Sequence, residues 1–288
     1  MMHRIVRTGL FAAAALSVAF AADAADLPFK APPPSAPVPS WTGFYIGGNV
    51  GLGIARDPTT DTGVYAVPGI PTTSTPWNES LMHSPLGAIG GGQIGYNVQV
   101  NPNFVLGVEA DWQWSTQKDT ICTYTCGNSS VAVFNLGGAG DSTSLQDTQR
   151  LRWLSTARLR AGYATQNWLW YVTGGAAYGR VEENFLYNTS FIPGPPNPYP
   201  PGPAAASFAQ NRLGWTAGAG VETQLAGNWS AKIEYLFVNL GGITDTWAVN
   251  APLFGIPSLP SSLTNTSSFH FDDHIIRVGL NYRFNGGR

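Results

Sequence analysis

Three groups of residues in this sequence have side chains that could do chemistry. His270, Asp272, Asp273 and His274 form the run HFDDH. Two imidazoles beside two carboxylates could hold a metal or, with a loop serine, act as a base and its orienting acid. Their spacing follows no recognised metal or nucleophile motif, and the chain has no Gly-x-Ser-x-Gly elbow and no His-Glu-x-x-His pair. Solvated loop histidines are the expectation. Gly90-x-Gly92-x-x-Gly95 fits the dinucleotide fingerprint in form. That motif must leave a strand and open a helix, whereas here strand-like alternation continues through it, so its glycines are expected to let strands bend or make room for long arginines. Cys122 and Cys126 lie four apart in a polar segment. Two thiols fall short of the four ligands of a structural zinc, and in an exported chain a small loop disulfide is expected.

The third group is larger. Glu109, Asp111, Arg152, Arg158, Arg160, Glu222, Lys232, Glu234, Arg277 and Arg283 all fall within segments of alternating character. In the clearest of these, Phe104, Leu106, Val108, Ala110, Trp112 and Trp114 alternate with Val105, Gly107, Glu109, Asp111, Gln113 and Ser115. Period two puts one set on each face of a β-strand. The last segment repeats this, with Ile276, Val278, Leu280, Tyr282 and Phe284 against Arg277, Gly279, Asn281 and Arg283. One face is apolar and the other polar and charged.

Eight such segments follow Trp41: 41–54, 86–100, 104–115, 151–164, 168–181, 213–225, 229–240 and 274–284. The intervals between them alternate between long (55–85, 116–150, 182–212, 241–273) and short (101–103, 165–167, 226–228). A β-sandwich would also alternate, but short turns at one end and long loops at the other make the outer-membrane pattern. The fold expected is all-β, an eight-stranded antiparallel up-and-down transmembrane barrel of the OmpA/OmpX-like kind. The polar face then turns inward, where ten charges form a plug of ion pairs, because an eight-stranded barrel is only wide enough for side chains. The alternative is a narrow pore with a weak anion preference from the basic excess. Trp41, Trp112, Trp114, Trp153, Trp168, Trp170, Trp215 and Trp229, near strand ends, are expected in interfacial girdles. The long intervals carry an acidic excess, including Asp57, Asp61, Asp147, Glu183 and Asp245, expected to be solvated or to meet cations or basic host surfaces.

The composition agrees. Only 11% of residues are charged, glycine numbers 34, and aromatic residues make up 12%. Charge is about a quarter of an ordinary soluble protein, so a surface that meets lipid is the simpler reading. Arg4 and Arg7, the apolar run from Leu10 to Ala22 and the small-residue site Ala22-Asp23-Ala24 read as a signal peptide over residues 1–24. The proline-rich stretch of residues 25–40 reads as a periplasmic tether leading into a barrel over residues 41–288. The net charge of −2 argues against nucleic acid as a partner.

The stretch ADLPFKAPPPSAPVPSWTGFYIGG, from Ala25 to Gly48, resembles the start of mature alphaproteobacterial outer-membrane proteins of the RopB and outer membrane immunogenic protein type. The last strand matches the recognition signal for the barrel-assembly machinery, with Arg277, Gly279, Tyr282 and Phe284 at its fixed positions. Barrels of this class often end at the terminal aromatic, whereas here Asn285 to Arg288 follow. The resemblance implies a porin-family barrel of the cell outer membrane that supports envelope integrity and displays surface loops. Its implied partners are membrane lipid, lipopolysaccharide and the assembly machinery, with host or cell-surface ligands at the loops. It implies no cofactor and no enzymatic activity.

Overall fold

The structure is a computed structural model that describes residues 40–66, 75–124, 142–190, 204–252 and 260–284. The expected signal peptide, nearly all of the tether, Cys126 and the four residues after Phe284 lie outside the described residues.

Among the described residues there are eleven antiparallel strands: β1 (Gly43–Ala55), β2 (Asp57–Ala66), β3 (Thr75–His83), β4 (Leu86–Gln99), β5 (Phe104–Ser115), β6 (Lys118–Tyr124), β7 (Ser142–Thr165), β8 (Trp168–Ser190), β9 (Ala204–Gln224), β10 (Trp229–Pro252) and β11 (Pro260–Phe284). Eight of them close a ring in the order β1-β4-β5-β7-β8-β9-β10-β11, and β11 pairs back onto β1 from Phe44 opposite Phe284 to Ala55 opposite Asp273. Closure leaves no free edge in the ring, which satisfies backbone groups without water.

The expected count of eight is therefore the count of the ring, and the expected loops are largely strand. β2 continues β1 after Arg56, β3 leads into β4 through Ser84 and Pro85, and β6 continues β5 after Thr116 and Gln117. β7 to β11 run on without a break for 21 to 25 residues. Sequence alternation misses these extensions because residues such as Asp57, Thr59 and Asp61 put polar groups on the inner face too, and the two faces no longer differ in hydropathy.

Beyond the ring the wall divides. One distal sheet is β6-β7-β8-β9 and the other is β10-β11-β2-β3. β9 and β10 stay paired only as far as Trp215 opposite Asn239, and among the described residues no ladder joins β3 to β6. Two seams thus separate the sheets.

Two bulges reset the alternation. In β7 the register shifts between Leu151 and Trp153: Leu151 points in, Arg152 and Trp153 both point out, and Leu154 points in. In β10 it shifts between Asn239 and Gly242, where Gly241 has φ +78°. An extra residue on one strand does this by leaving itself unpaired.

The outer face of the ring is apolar. Val50, Leu159, Leu213 and Ile276 are each more than half exposed, at 58%, 70%, 74% and 61%, and that continuous grease has no place against water. Two aromatic girdles bound it. At the end where β1 begins and β11 finishes, called the terminal end, Phe104 packs on Tyr163 at 5.4 Å and Trp229 on Tyr282 at 5.3 Å. At the other end Trp112 stacks on Trp153 at 4.6 Å, Trp153 meets Tyr178 at 5.4 Å, and Trp215 meets Phe237 at 5.3 Å. Phe104 and Trp114 lie at opposite ends of β5. At roughly 3.4 Å per residue and a ~40° tilt they stand about 26 Å apart, matching the ~25 Å lipid band of such barrels. Trp41 is an exception to the expected girdle. It is fully buried inside the lumen mouth, beneath the guanidinium of Arg283 at 4.9 Å.

Candidate functional site

The inner face of the ring gathers nine of the ten expected lumen charges, and each of the nine is at least nine-tenths buried. Arg158 holds the centre. It donates to Glu109 at 2.5 Å, Asp111 at 2.8 Å and Glu234 at 3.1 Å. Arg277 reaches Glu234 at 2.5 Å and Asp111 at 3.0 Å, and the Lys232 ammonium donates to both Glu109 oxygens at 2.8 and 2.9 Å. Toward the terminal end Arg160 pairs with Glu222, which also accepts from Ser230 at 2.5 Å and Asn281 at 3.0 Å. Gln93 donates to Asn281 at 2.6 Å and accepts from Asn49 at 3.0 Å. The ring strands supply these groups because register sets Glu109 beside Arg158, and Glu234 beside Arg277.

Two tyrosines knit the network together. Tyr45 donates to Glu109 at 2.7 Å, and Tyr171 donates to Glu234 at 3.0 Å while its ring lies 3.6 Å beneath the Arg160 guanidinium. Each ring lies over a glycine: a Cβ on Gly95 would sit 2.3 Å from Tyr45, and one on Gly220 would sit 2.5 Å from the Tyr171 hydroxyl. Gly95 of the formal fingerprint therefore makes room for a tyrosine, where the sequence suggested an arginine. Neither tyrosine is singled out by alternation alone, though Tyr45 shares the parity of Asn49 on β1.

Arg152 is the exception. The β7 bulge turns it outward, where its side chain is 46% exposed and pairs with Glu182 at 3.2 Å. The central network then balances four cations, Arg158, Arg160, Lys232 and Arg277, against four carboxylates. Arg283 stands apart at the mouth, donating to the Ser40 carbonyl oxygen. The basic excess that suggested anion preference shrinks accordingly.

Apolar layers cap the charges at both ends. Trp41, Val105, Ala164, Leu169 and Tyr171 cluster at the terminal end. Leu154, Leu236, Leu240, Ile275, Phe271 and Phe269 belong to a larger cluster on the distal side. The parity of β11 carried this signal: Phe269, Phe271 and Ile275 share the face of Arg277.

Above this layer lie the acidic residues expected in solvated loops. Asp61, Asp147, Glu183 and Asp245 are all more than nine-tenths buried between the distal sheets. His83 shares a 3.0 Å contact with Asp147, and the Ser267 hydroxyl donates to Glu183 at 3.4 Å across the gap. Burial pushes the Glu183 carboxyl up to about 10, with Asp147, Asp245 and Asp61 adding to the shift. These acids face one another because polar alternation continues into the extensions.

The remaining candidates do not converge. Alternation puts His270 and His274 on the outer face and Asp273 inside. His274 shares a 2.7 Å hydrogen bond with Tyr235, and the Asp272 carboxylate accepts from Asn239 at 2.5 Å. Among the described residues no three His, Cys, Asp or Glu side chains are placed to hold a metal. Cys122 is disulfide-bonded. Of the residues matched to the assembly signal, Arg277 and Gly279 face the lumen, while Tyr282 and Phe284 face outward and pack at 5.2 Å.

Comparison with known proteins agrees with this architecture. The chain is 31% identical over 289 residues to the 31 kDa outer-membrane immunogenic proteins of Brucella melitensis biotype 1 and Brucella suis biovar 1, covering 97% of this chain and 100% of each relative. Among solved structures it is similar to OprG from Pseudomonas aeruginosa (9% identity, 84% of this chain and 97% of that one, TM-score 0.38). It is also similar to Neisserial surface protein A (10% identity, 84% and 98%, TM-score 0.35). The model of the outer membrane protein beta-barrel domain matches residues 11–284, and the chain belongs to that family of the bacterial outer membrane.

Proposed function

We propose that this outer-membrane barrel is a closed, non-enzymatic structural element of the envelope that carries its distal sheets on the cell surface. The supporting observation is the layering of the lumen, a charge-balanced network with a buried apolar cluster on either side. An ion entering would lose its hydration at each apolar layer, and the side chains that could compensate it already hold one another. Planar-bilayer recordings of the refolded protein are expected to show no stable conductance. Discrete openings would favour the narrow pore instead, and substitution of Arg158 or Arg160 would then shift the reversal potential.

We assign the short turns, and with them both ends of the ring, to the periplasm and the distal sheets to the outside, because an even strand number puts the first and last strand ends on one side and short turns are periplasmic in barrels of this kind. A peptide tag placed between β10 and β11 is expected to be detected by antibody on intact cells. Detection only after the outer membrane is opened would reverse the orientation.

A further inference from the structure

The bulge that expels Arg152 from the lumen sets up something on the outside of the barrel. Lys118 on β6 is exposed and sits opposite Arg150 on β7, and Arg150 sits opposite Glu182 on β8. Arg152 reaches Glu182 at 3.2 Å, and Arg180, the partner of Trp153 across the ladder, reaches the other oxygen of Glu182 at 3.3 Å. Two arginines thus share one carboxylate, with Arg150 beside it across the ladder and Lys118 one strand further, so that four cationic side chains from three adjacent strands lie around a single acid. Their position is as informative as their charge. Trp112, Trp153 and Tyr178 form the distal girdle immediately below, and Arg180 follows Tyr178 by two residues on the same face. At ~3.4 Å per residue its backbone is about 7 Å beyond that ring, at the depth of lipid headgroups. Without the bulge Arg152 would lie inside and the patch would lose a member.

We infer that Lys118, Arg150, Arg152 and Arg180 form a binding site for the phosphate groups of a phosphorylated glycolipid in the outer leaflet. The surface below the patch is already lipid-facing, so the same molecule can lay its acyl chains on the girdle and ring wall while its phosphates meet the cations. Guanidinium groups suit this role, since their paired N–H donors match phosphate oxygens bidentately. Glu182 holds Arg152 and Arg180 in place, and an incoming phosphate can add bonds to their remaining donors. The inference rests on the outward orientation assigned above, which the surface tag tests separately.

The test uses the folded barrel in detergent micelles, titrated with bisphosphorylated lipid A and with the same lipid after removal of both phosphates, read by native mass spectrometry. Losing charge-assisted contacts in the double variant R152Q/R180Q is expected to weaken binding about tenfold, and dephosphorylating the lipid is expected to do the same to the unaltered protein. Arg56→Gln, an exposed arginine at the β1–β2 break, should leave affinity unchanged. Inorganic phosphate at the lipid's own concentration should displace nothing. Heat-modifiable gel mobility reports folding, and if the double variant fails it, Lys118→Gln replaces it with an expected loss of about threefold. Equal affinities for variant and parent, equal affinities for the two lipids, or displacement by inorganic phosphate would each overturn the assignment.

Discussion

Glu109 has more cationic partners than any other lumen carboxylate, contacting Arg158 and Lys232 directly with Arg277 at 3.6 Å and Arg160 at 3.9 Å, and it also accepts from Tyr45. Removing it leaves cations buried without compensation, which in protein interiors costs roughly 3–5 kcal/mol. Glu109→Ala is therefore expected to lower the urea midpoint of the barrel folded in lipid vesicles, with Glu109→Gln intermediate because it keeps an acceptor for Tyr45. Adding Lys232→Met to Glu109→Ala should cost less than the sum of the single changes, and strict additivity would argue against a coupled network. At this scale the sequence was largely legible. Glu109, Asp111, Glu222 and Glu234 alternate with grease, and a charge in a membrane-spanning strand can only point inward. What alternation could not show was how residues meet across the lumen, so Tyr45 over Gly95 and Tyr171 over Gly220 emerge only when the ring is closed.

Strand position in the distal sheets was less legible, and the bulges explain part of this. Gly241-Gly242 marks the β10 bulge in the sequence, since a positive φ favours glycine. Leu151-Arg152-Trp153 gives no comparable sign, so parity alone puts Arg152 on the wrong face. The distal sheets escaped notice because their inner face is polar, and that same face makes them sensitive to pH. Glu183 has a folded value raised from the ordinary carboxyl value of 4.5 to about 10 by burial and by Asp147, Asp245 and Asp61. A raised carboxyl stabilises the fold fully below its unfolded value and loses that contribution as pH climbs through its folded one. The distal strands are expected to show higher amide protection factors, after correction for intrinsic exchange, at pH 5 than at pH 9, while those of the ring strands change little. Glu183→Gln should flatten that difference, and an unaltered profile would place its origin elsewhere.

For the whole molecule, the ring and its extensions are joined by continuous strands, but the ring closes without the extensions. β1 pairs β4 from Gly43 opposite Asn97 to Ile54 opposite Leu86, a complete ladder without β2 or β3. Replacing residues 57–83 by a short turn is therefore expected to leave a heat-modifiable barrel that still inserts into vesicles, and failure to insert would show that assembly needs the distal sheet. The two seams carry a further consequence. In a fully closed cylinder a length change in one strand must be matched around the whole circumference, because each rung fixes the next. Above the membrane that chain of rungs is cut twice, so residues added to the β10–β11 hairpin need be accommodated only as far as β3, and residues added to the β8–β9 hairpin only as far as β6. The exposed region can thus vary in length under selection by whatever meets it, while the shear of the ring stays fixed.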